Sequence, residues 1–207
     1  MTTAHVSRAR VALTILFLSA TAARAQGTPA PREAGVVPGI EVLLRDSMSL
    51  VRGKRVGLIT NQTGRDRRGR SDIDLLAHAS GVRLVALFAP EHGIRGTAEA
   101  GARIASDTDA ATGVPIYSLY GAVRAPTPAM LDSVDVLLYD IQDAGVRFYT
   151  YVWTMALSAD AAGRAHKPFV VLDRPDPLGG SRVTGGVLDT AYRSFVGEYP
   201  VALRYGL

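Results

Sequence analysis

Glu91 and His92 form the adjacent pair in this sequence that is best suited to proton transfer. They follow an apolar run and a proline, and Gly93 and Gly96 allow the backbone to turn sharply and to approach a ligand closely. A glutamate at the base of a cleft can donate a proton to a leaving glycosidic oxygen when partial desolvation raises its pKa. Glu91 is therefore the candidate for a catalytic acid. The alternative is a structural one, in which Glu91 pairs with Arg95 and braces the loop.

Polar side chains also stand directly after three other predicted strands. In an open parallel sheet, ligands bind beyond the carboxyl ends of the strands, where the connecting loops separate. Four of five predicted strands end in this way, and their convergence on one edge predicts a polar, carboxylate-rich cleft. Besides Glu91 and His92, the residues at these ends are Asn61, Gln62, Asp140, Gln142, Asp143, Arg147, Asp173 and Arg174.

Asp140 and Asp143 have two interpretations that the sequence leaves open. Either could cap the following helix or pair with Arg147, and either could act across the cleft from Glu91. A carboxyl separation of about 5 to 5.5 Å indicates a retaining nucleophile, and about 6.5 to 9.5 Å indicates an inverting base. The spacing in the sequence does not give that distance.

The histidines do not predict a metal centre. His92 could be a general base, a metal ligand, an orienting group for Glu91 or a structural residue. The other three, His5, His78 and His166, are far from it in sequence, so a zinc site is not expected. An all-oxygen site at Asp140 and Asp143 for a hard cation remains open. We therefore name no metal ligand among the candidate site residues.

Motifs that would indicate other chemistry on such a sheet are absent. The sequence has no G-x-x-x-x-G-K-[ST] phosphate loop and no G-x-G-x-x-G turn, and Gly53-Lys54-Arg55 precedes the first predicted strand. It also has no G-x-S-x-G nucleophile elbow. These absences disfavour a nucleotide-binding enzyme and an ordinary serine hydrolase.

The elements that must position these residues alternate between short β-branched runs and helical stretches, which predicts an α/β fold with a mostly parallel sheet and helices on both faces. Ser71 is expected to cap a helix through Ala79, and Thr127 a second helix to about Ser133; a third should span about 148–164. The predicted strands cover residues 55–60, 83–88, 115–118, 134–141 and 168–172.

The third predicted helix begins with an aromatic run, Phe148 to Trp153. Crossover helices bury one face, and aromatic rings supply much of the buried area, so core packing is the favoured interpretation. Only the hydroxyl of Tyr149 or Tyr151, at the N-terminal end, is expected to contact a ligand.

The first 25 residues have the layout of an export signal. Arg8 and Arg10 form a basic region, about thirteen mostly apolar residues follow, and Ala23-Arg24-Ala25 offers a signal-peptidase site. We expect a signal peptide over residues 1–25, a flexible Gly/Pro-rich linker over 26–36 and one domain over 37–207. The mature product should be periplasmic or secreted, without stable membrane insertion.

Charge and cysteine content exclude several classes of protein. The predicted signal holds three arginines and no acidic residue, so its removal lowers the net charge from +4 to about +1 and leaves no basic footprint for nucleic acid. The short stretch from Arg65 to Arg70 is interpreted as a solvated loop. The sequence has no cysteine, which excludes disulfides, cysteine zinc sites and a lipid-modified cysteine.

Four long blocks of this sequence resemble the motif blocks of the DUF1343 family, whose characterised members are exo-β-N-acetylmuramidases called NamZ. The resemblance extends over about residues 39–206, which is nearly the whole predicted mature chain. The blocks are GKRVGLITNQTG at 53–64, FAPEHGIRG at 88–96, DIQDAGVRFYTY at 140–151 and LDRPDPLGG at 172–180.

The resemblance implies removal of terminal N-acetylmuramic acid from the non-reducing end of peptidoglycan fragments, without a cofactor. It also implies a Rossmann-like N-terminal domain followed by a smaller second domain. Glu91 carries the position of the family's proposed catalytic glutamate. By the same resemblance, further residues would line the cleft: Asn61, His92, Arg95, Asp140, Asp143 and Arg147.

Two positions depart from the family pattern. Tyr205 stands where the family usually has histidine, and Asp176 where it usually has asparagine. Family members continue beyond the position of Leu207, so we expect this chain to be a fragment that holds one wall of the cleft. Two other functions stay open: a non-catalytic module that binds cell-wall sugars, and a metal-assisted hydrolase that uses Asp140 and Asp143.

Overall fold

The computed structural model describes residues 35–96, 99 and 106–206. The predicted signal peptide and nearly all of the predicted linker lie outside the described residues. The helices are α1 (Gly39–Asp46), α2 (Asp72–Ala77), α3 (Pro128–Leu131) and α4 (Thr150–Arg164), with 3₁₀ turns at Met48–Leu50 and Thr190–Tyr192. The strands are β1 (Arg55–Thr60), β2 (Arg83–Ala89), β3 (Asp107–Thr108), β4 (Pro115–Ser118), β5 (Val136–Asp140), β6 (Phe169–Val171), β7 (Thr184–Val187) and β8 (Ala202–Arg204).

Six of these strands form one sheet in the order β3-β4-β2-β1-β5-β6. Strands β4, β2, β1, β5 and β6 are parallel, and the short β3 adds an antiparallel edge. The chain starts in the middle at β1, moves outward through β2 and β4, and then returns to the other side of β1. This reversal creates a switch point between β1 and β5, where the loops at the carboxyl ends diverge. The predicted α/β fold is confirmed.

Side chains of the central strand alternate between two apolar layers, as the two-residue period of a strand requires. Val56 and Leu58 of β1 join the layer under α1 and α2. Ile59 joins the opposite layer, which includes residues of α3 and α4. Gly57 faces the second layer, where a Cβ would come within 3.1 Å of three apolar side chains. Helices on both faces therefore bury the sheet, as expected.

All five predicted strands are present, and the N-caps of two helices are as predicted. The Ser71 hydroxyl accepts from the Ile73 amide and that of Thr127 from the Met130 amide. The helices are shorter than expected: α2 ends at Ala77, α3 ends at Leu131, and α4 begins at Thr150.

Several elements were not predicted. Helix α1 lies at the start of the fold, and a two-stranded antiparallel hairpin of β7 and β8 lies near its end. Strand β7 reads Thr-Gly-Gly-Val and is exposed throughout, so it lacks the apolar alternation by which strands are found in a sequence. Among the described residues, no helix is both long and apolar enough to cross a membrane.

Candidate active site

A cleft of about 740 Å³ opens beyond the carboxyl ends of β2 and β4, next to the start of α4. Its walls come from three loops and the first turn of that helix. Aromatic rings form much of the surface, with one carboxylate and one guanidinium among them. The lining residues are Glu91, His92, Tyr120, Gly121, Arg124, Phe148, Tyr149, Thr150, Tyr151, Ser194, Phe195 and Val196.

A hydroxyl group at the start of α4 holds the Glu91 carboxyl group. The Thr150 Oγ1 hydroxyl donates to Glu91 Oε2 at 2.8 Å. Tyr120 lines the same cleft, and the pKa of its hydroxyl is raised by burial and then by the Glu91 carboxylate. Thr150 is the first residue of α4, so the N-terminal end of a 15-residue helix lies beside the carboxyl group. Unpaired backbone N–H groups and the helix dipole make such an end favourable for a negative charge.

The turn that carries Glu91 has an unusual backbone. His92 has a φ of 69°, and Gly93 and Gly96 have φ of 73° and 66°. A left-handed conformation is strained for histidine by about 1 to 3 kcal/mol, and strain of this kind concentrates at functional sites. The sharp turn predicted from the glycines is confirmed. At Gly96 the close neighbour is Gln62, whose side chain a Cβ would meet at 2.2 Å.

An ion pair with Asp109 anchors the loop after β2. Arg95 Nη2 lies 2.6 Å from Asp109 Oδ1, and the Thr112 hydroxyl donates to Asp109 Oδ2. Burial opposes ionisation of this aspartate, but the hydrogen bonds from Thr112 and Arg95 hold its pKa below the usual value. The sequence suggested that Arg95 pairs with Glu91 and braces the loop. In the structure, Arg95 braces the loop by pairing with Asp109. Arg95 is not among the residues that line the cleft.

Asn61 connects the loops after β1 and β5. Its Oδ1 accepts from the Thr63 amide at 2.9 Å and from the Thr63 hydroxyl at 2.5 Å, and that hydroxyl accepts from the Gln142 amide. Its Nδ2 group is buried without a hydrogen bond of good geometry in the described structure. It faces the Tyr151 hydroxyl, whose pKa is raised by burial and partly lowered by Asn61. Asn61 does not line the cleft itself; it lies behind Tyr151, which does.

Asp140 and Arg174 form an ion pair beneath the switch point. Arg174 Nε lies 2.5 Å from Asp140 Oδ1, and their side chains are 9% and 0% exposed. Burial raises the pKa of Asp140, and Arg174 opposes the shift. Both were predicted as substrate contacts, but their side chains are buried and form an ion pair with each other. The structural alternatives for Asp140 from the sequence were a helix cap or a pair with Arg147; the observed partner is Arg174.

A second buried carboxyl group, that of Asp72, lies next to the ion pair of Asp140 and Arg174. Burial, followed by the charge of Asp140, raises its pKa well above the usual value. The Thr60 hydroxyl lies 2.5 Å from Asp72 Oδ2 and 3.0 Å from the Asp140 carbonyl oxygen. A hydroxyl has one proton and cannot donate to both oxygens. If Thr60 donates to the Asp140 carbonyl oxygen, a protonated Asp72 can donate to the Thr60 oxygen, and both contacts are hydrogen bonds. We call Thr60, Asp72, Asp140 and Arg174 the buried acid cluster.

Asp143 and Arg147 connect the loop after β5 to the segment that contains β7 and β8. Asp143 Oδ1 accepts from the Gly145 amide at 2.7 Å and from the Tyr205 hydroxyl. Arg147 Nη1 donates to the carbonyl oxygens of Gly186 and Val201 at 2.8 and 2.6 Å. The pairing of Asp143 with Arg147, one of the alternatives from the sequence, is therefore replaced by contacts to the hairpin.

The structure also gives the exposure of Asp173 and of the aromatic run at the start of α4. Asp173 accepts from the Arg174 amide and is exposed. Tyr149 is 46% exposed and lines the cleft next to Phe148, which is 55% exposed. Core packing of the aromatic run is correct for Trp153, which is 1% exposed. It is wrong for Phe148 and Tyr149, because they precede the first turn of α4 and its buried face.

The sequence analysis missed several cleft residues, among them Tyr120, Arg124, Thr150 and Phe195. Tyr120 follows β4, so the rule about strand ends would have found it had it been applied to that strand. Thr150 lies within the aromatic run, where the pattern of rings predicts core packing and does not indicate a role for its hydroxyl group. Phe195 is far along the chain in a loop, and we find no sequence signal for it.

The described residues contain no group of three or more His, Cys, Asp or Glu placed to hold a metal ion. Arg174 supplies the positive charge next to Asp140. The ligand set that a metal-assisted hydrolase would need from Asp140 and Asp143 is therefore not assembled in this part of the chain.

Fold and site together define an α/β protein with an open cleft, aromatic walls and a carboxyl group that accepts a hydrogen bond from Thr150. Small-molecule binding sites share this combination of apolar surface and a few placed polar groups, and their volumes are about 300 to 1,000 Å³. Comparison with known proteins narrows the class.

The family model for the N-terminal part of the exo-β-N-acetylmuramidase NamZ matches residues 56–207. The peptidoglycan β-N-acetylmuramidase NamZ of Bacillus subtilis is 46% identical over 200 residues, which cover 94% of this chain and 48% of that protein. This chain belongs to the NamZ family and corresponds to its N-terminal part.

Two solved structures of DUF1343 family proteins from Bacteroides fragilis have the same fold. One is 49% identical with a TM-score of 0.76, and the other is 34% identical with a TM-score of 0.70. Each match covers 83% of this chain and 43% of the solved chain. The chain thus spans about half the length of the relatives that it matches.

Proposed function

We propose that this protein removes terminal N-acetylmuramic acid from the non-reducing end of peptidoglycan fragments, with Glu91 as general acid and base. The observation that carries the proposal is the placement of Glu91 in the aromatic-lined cleft, where a hydrogen bond from Thr150 orients its carboxyl group. The activity in the name of the Bacillus subtilis relative supports the choice of sugar.

The geometry suits glycosidic bond cleavage. A protonated Glu91 gives its proton to the glycosidic oxygen as the bond from that oxygen to the anomeric carbon breaks. The hydrogen bond from Thr150 fixes Oε2, so that the carboxyl group does not rotate away from the leaving oxygen. Glu91 then takes a proton from the water that adds to the anomeric carbon. Hydrolysis of this kind needs no cofactor.

Aromatic pairs at the cleft supply flat apolar surface for a sugar ring. The rings of Phe148 and Tyr149 lie 5.4 Å apart, and those of Tyr120 and Phe195 lie 6.0 Å apart. Cleft walls of this kind bind the apolar faces of a ligand, while a few polar groups fix its orientation. The exposure of Phe148 and Tyr149 is consistent with a ligand-binding role.

The test is release of sugar from a chromogenic β-N-acetylmuramide by this chain, and by a polypeptide extended to the next in-frame stop codon. Glu91→Gln should keep the fold and lower kcat by at least about 10²-fold, since general acid catalysis contributes about 10² to 10⁴. Glu41→Gln is the matched control, because Glu41 pairs with Arg67 outside the cleft. It should leave turnover unchanged.

Other outcomes would support the other functions. Binding of muropeptide by a folded, extended protein without turnover would replace the proposal with a non-catalytic binding module. Loss of turnover on chelation would favour a metal-assisted hydrolase. Equal turnover by the Glu91→Gln protein and the wild type would remove Glu91 from the mechanism.

We also propose that the protein is exported to the periplasm or secreted. The basic, apolar and small-residue pattern of the first 25 residues supports this location, and peptidoglycan fragments occur there. N-terminal sequencing of the exported protein should give Gln26 as the first residue; a product that stays in the cytoplasm with Met1 intact would contradict it.

A further inference from the structure

Arg124 places a positive charge on the same cleft wall that carries Glu91. Its guanidinium carbon lies 4.8 Å from the centre of the Phe195 ring, a cation–π distance. In the part of the chain that the structure describes, no carboxylate forms an ion pair with Arg124. The guanidinium is exposed to the cleft while its face is occupied by an aromatic ring.

Stacking on Phe195 prepares Arg124 to bind an anion. The ring restricts the orientation of the flat guanidinium but leaves its N–H groups, which lie in the guanidinium plane, available to a ligand. Two parallel N–H donors match the two oxygens of a carboxylate, and such bidentate pairs are strong and directional. An arginine that is already ordered also loses less side-chain entropy on binding.

Arg124, Tyr120 and Glu91 line the same cleft. Burial and, after it, the Glu91 carboxylate raise the pKa of Tyr120, and the charge of Arg124 lowers it. A single sugar in this cleft can therefore contact the wall that carries both charges. A ligand with its reacting bond at Glu91 can place a substituent of the same ring near Arg124.

We infer that Arg124 binds the lactyl carboxylate of N-acetylmuramic acid and so selects this sugar over N-acetylglucosamine. The inference rests on the proposed function. The two sugars differ only in the lactyl ether on O3, whose carboxylate gives N-acetylmuramic acid its negative charge. The Arg124 cation lines the same cleft as the carboxyl group that acts at the anomeric centre, and its charge is complementary to the lactyl carboxylate.

The experiment compares a chromogenic β-N-acetylmuramide with its lactamide, in which an amide replaces the carboxylate. Arg124→Gln should lower kcat/KM for the acid by about 10- to 100-fold, mainly through KM, as expected for a hydrogen bond to a charged group. It should change kcat/KM for the lactamide by less than about twofold. The preference for acid over amide would then nearly disappear.

Arg193→Gln is the matched control. This arginine also stacks on a ring, 5.9 Å from the centre of Tyr199, and pairs with Glu198, but it does not line the cleft. It should keep the preference for acid over amide. An equal loss of preference in both variants would show that loop integrity, not the charge of Arg124, is responsible, and would overturn the inference.

Binding measured by calorimetry with the Glu91→Gln protein separates this inference from the proposed function. A protein that binds N-acetylmuramic acid at least about 10-fold more tightly than its lactamide, and loses this difference with Arg124→Gln, supports the inference even without turnover. Turnover with equal kcat/KM for acid and lactamide in the wild type would overturn the inference and leave the glycosidase function standing. Equal affinity of the Glu91→Gln protein for N-acetylmuramic acid and for its lactamide would also overturn the inference.

Discussion

The buried acid cluster and the wall of the cleft are both built from polar residues near the carboxyl ends of strands, yet they differ in access to solvent. In the cluster, the side chains of Asp140 and Arg174 are 0% and 9% exposed and form an ion pair. On the cleft wall, Glu91 is half-buried and accepts a hydrogen bond from Thr150 at the start of α4. Position after a strand therefore identifies polar residues worth inspecting, and burial decides which of them can meet a ligand.

The reason for the difference is the position of each residue relative to its strand. Asp140 is the last residue of β5 and lies inside the sheet, next to β1. A charge buried there costs several kcal/mol unless it is paired, which explains why Arg174 accompanies Asp140. Glu91 lies two residues beyond the end of β2, in the turn that borders the open cleft.

The largest effect is expected on removal of the cation from the buried acid cluster. Arg174→Met leaves Asp140 buried without its partner and should lower the free energy of unfolding by about 3 to 5 kcal/mol, measured by urea denaturation. Arg164→Met is the control, because Arg164 pairs with Asp160 in solvent and should change stability by less than about 1 kcal/mol. If Arg174→Met stayed stable and lost sugar binding, Arg174 would belong to the cleft, and the comparison would fail.

A smaller effect, with a distinctive pH dependence, is expected for Asp72→Asn. The folded-state pKa of Asp72 is raised above the unfolded value of about 3.9, so the native state holds its proton more tightly. Wild-type stability should therefore fall as the pH rises from about 4 toward the folded pKa, and the asparagine variant should lack this loss. Stability relative to wild type should increase with pH in urea titrations.

Asp74→Asn is the control for this measurement, since Asp74 lies on the exposed side of the same helix. It should retain the wild-type pH dependence. A difference between Asp72→Asn and wild type that stays constant from pH 4 to pH 8 would show that Asp72 is not the protonated member of the cluster.

The smallest effect on stability is expected at the cleft. Phe148→Ala removes a ring that is 55% exposed, so the free energy of unfolding should change by about 0.5 kcal/mol or less, while KM for the muramide rises. Trp153→Ala, five residues further along and 1% exposed, should cost about 3 to 5 kcal/mol. Equal losses of stability in both variants would show that Phe148 packs in the core.

The sequence alone determined the α/β class, the five strands of the parallel part of the sheet and two helix caps. Local rules suffice for these features, because continuous apolar runs and capping hydroxyls act over a few residues. The sequence also placed Glu91 on a sharp turn, since the glycines around it have the left-handed backbone that the turn requires. The β7–β8 hairpin escaped prediction because an exposed strand with two glycines has no apolar pattern.

The tertiary structure alone decided which polar residues face the cleft. Asp140 and Glu91 both stand at the end of an apolar run in the sequence. Asp140 is the last residue of β5 and is buried against Arg174, whereas Glu91 lies in the turn beyond β2 and lines the cleft. Tyr120, Thr150 and Arg124 reach Glu91's surroundings from segments about 30 to 60 residues away in the sequence. Contacts between such distant segments depend on strand order and loop closure, which no local pattern of residues specifies.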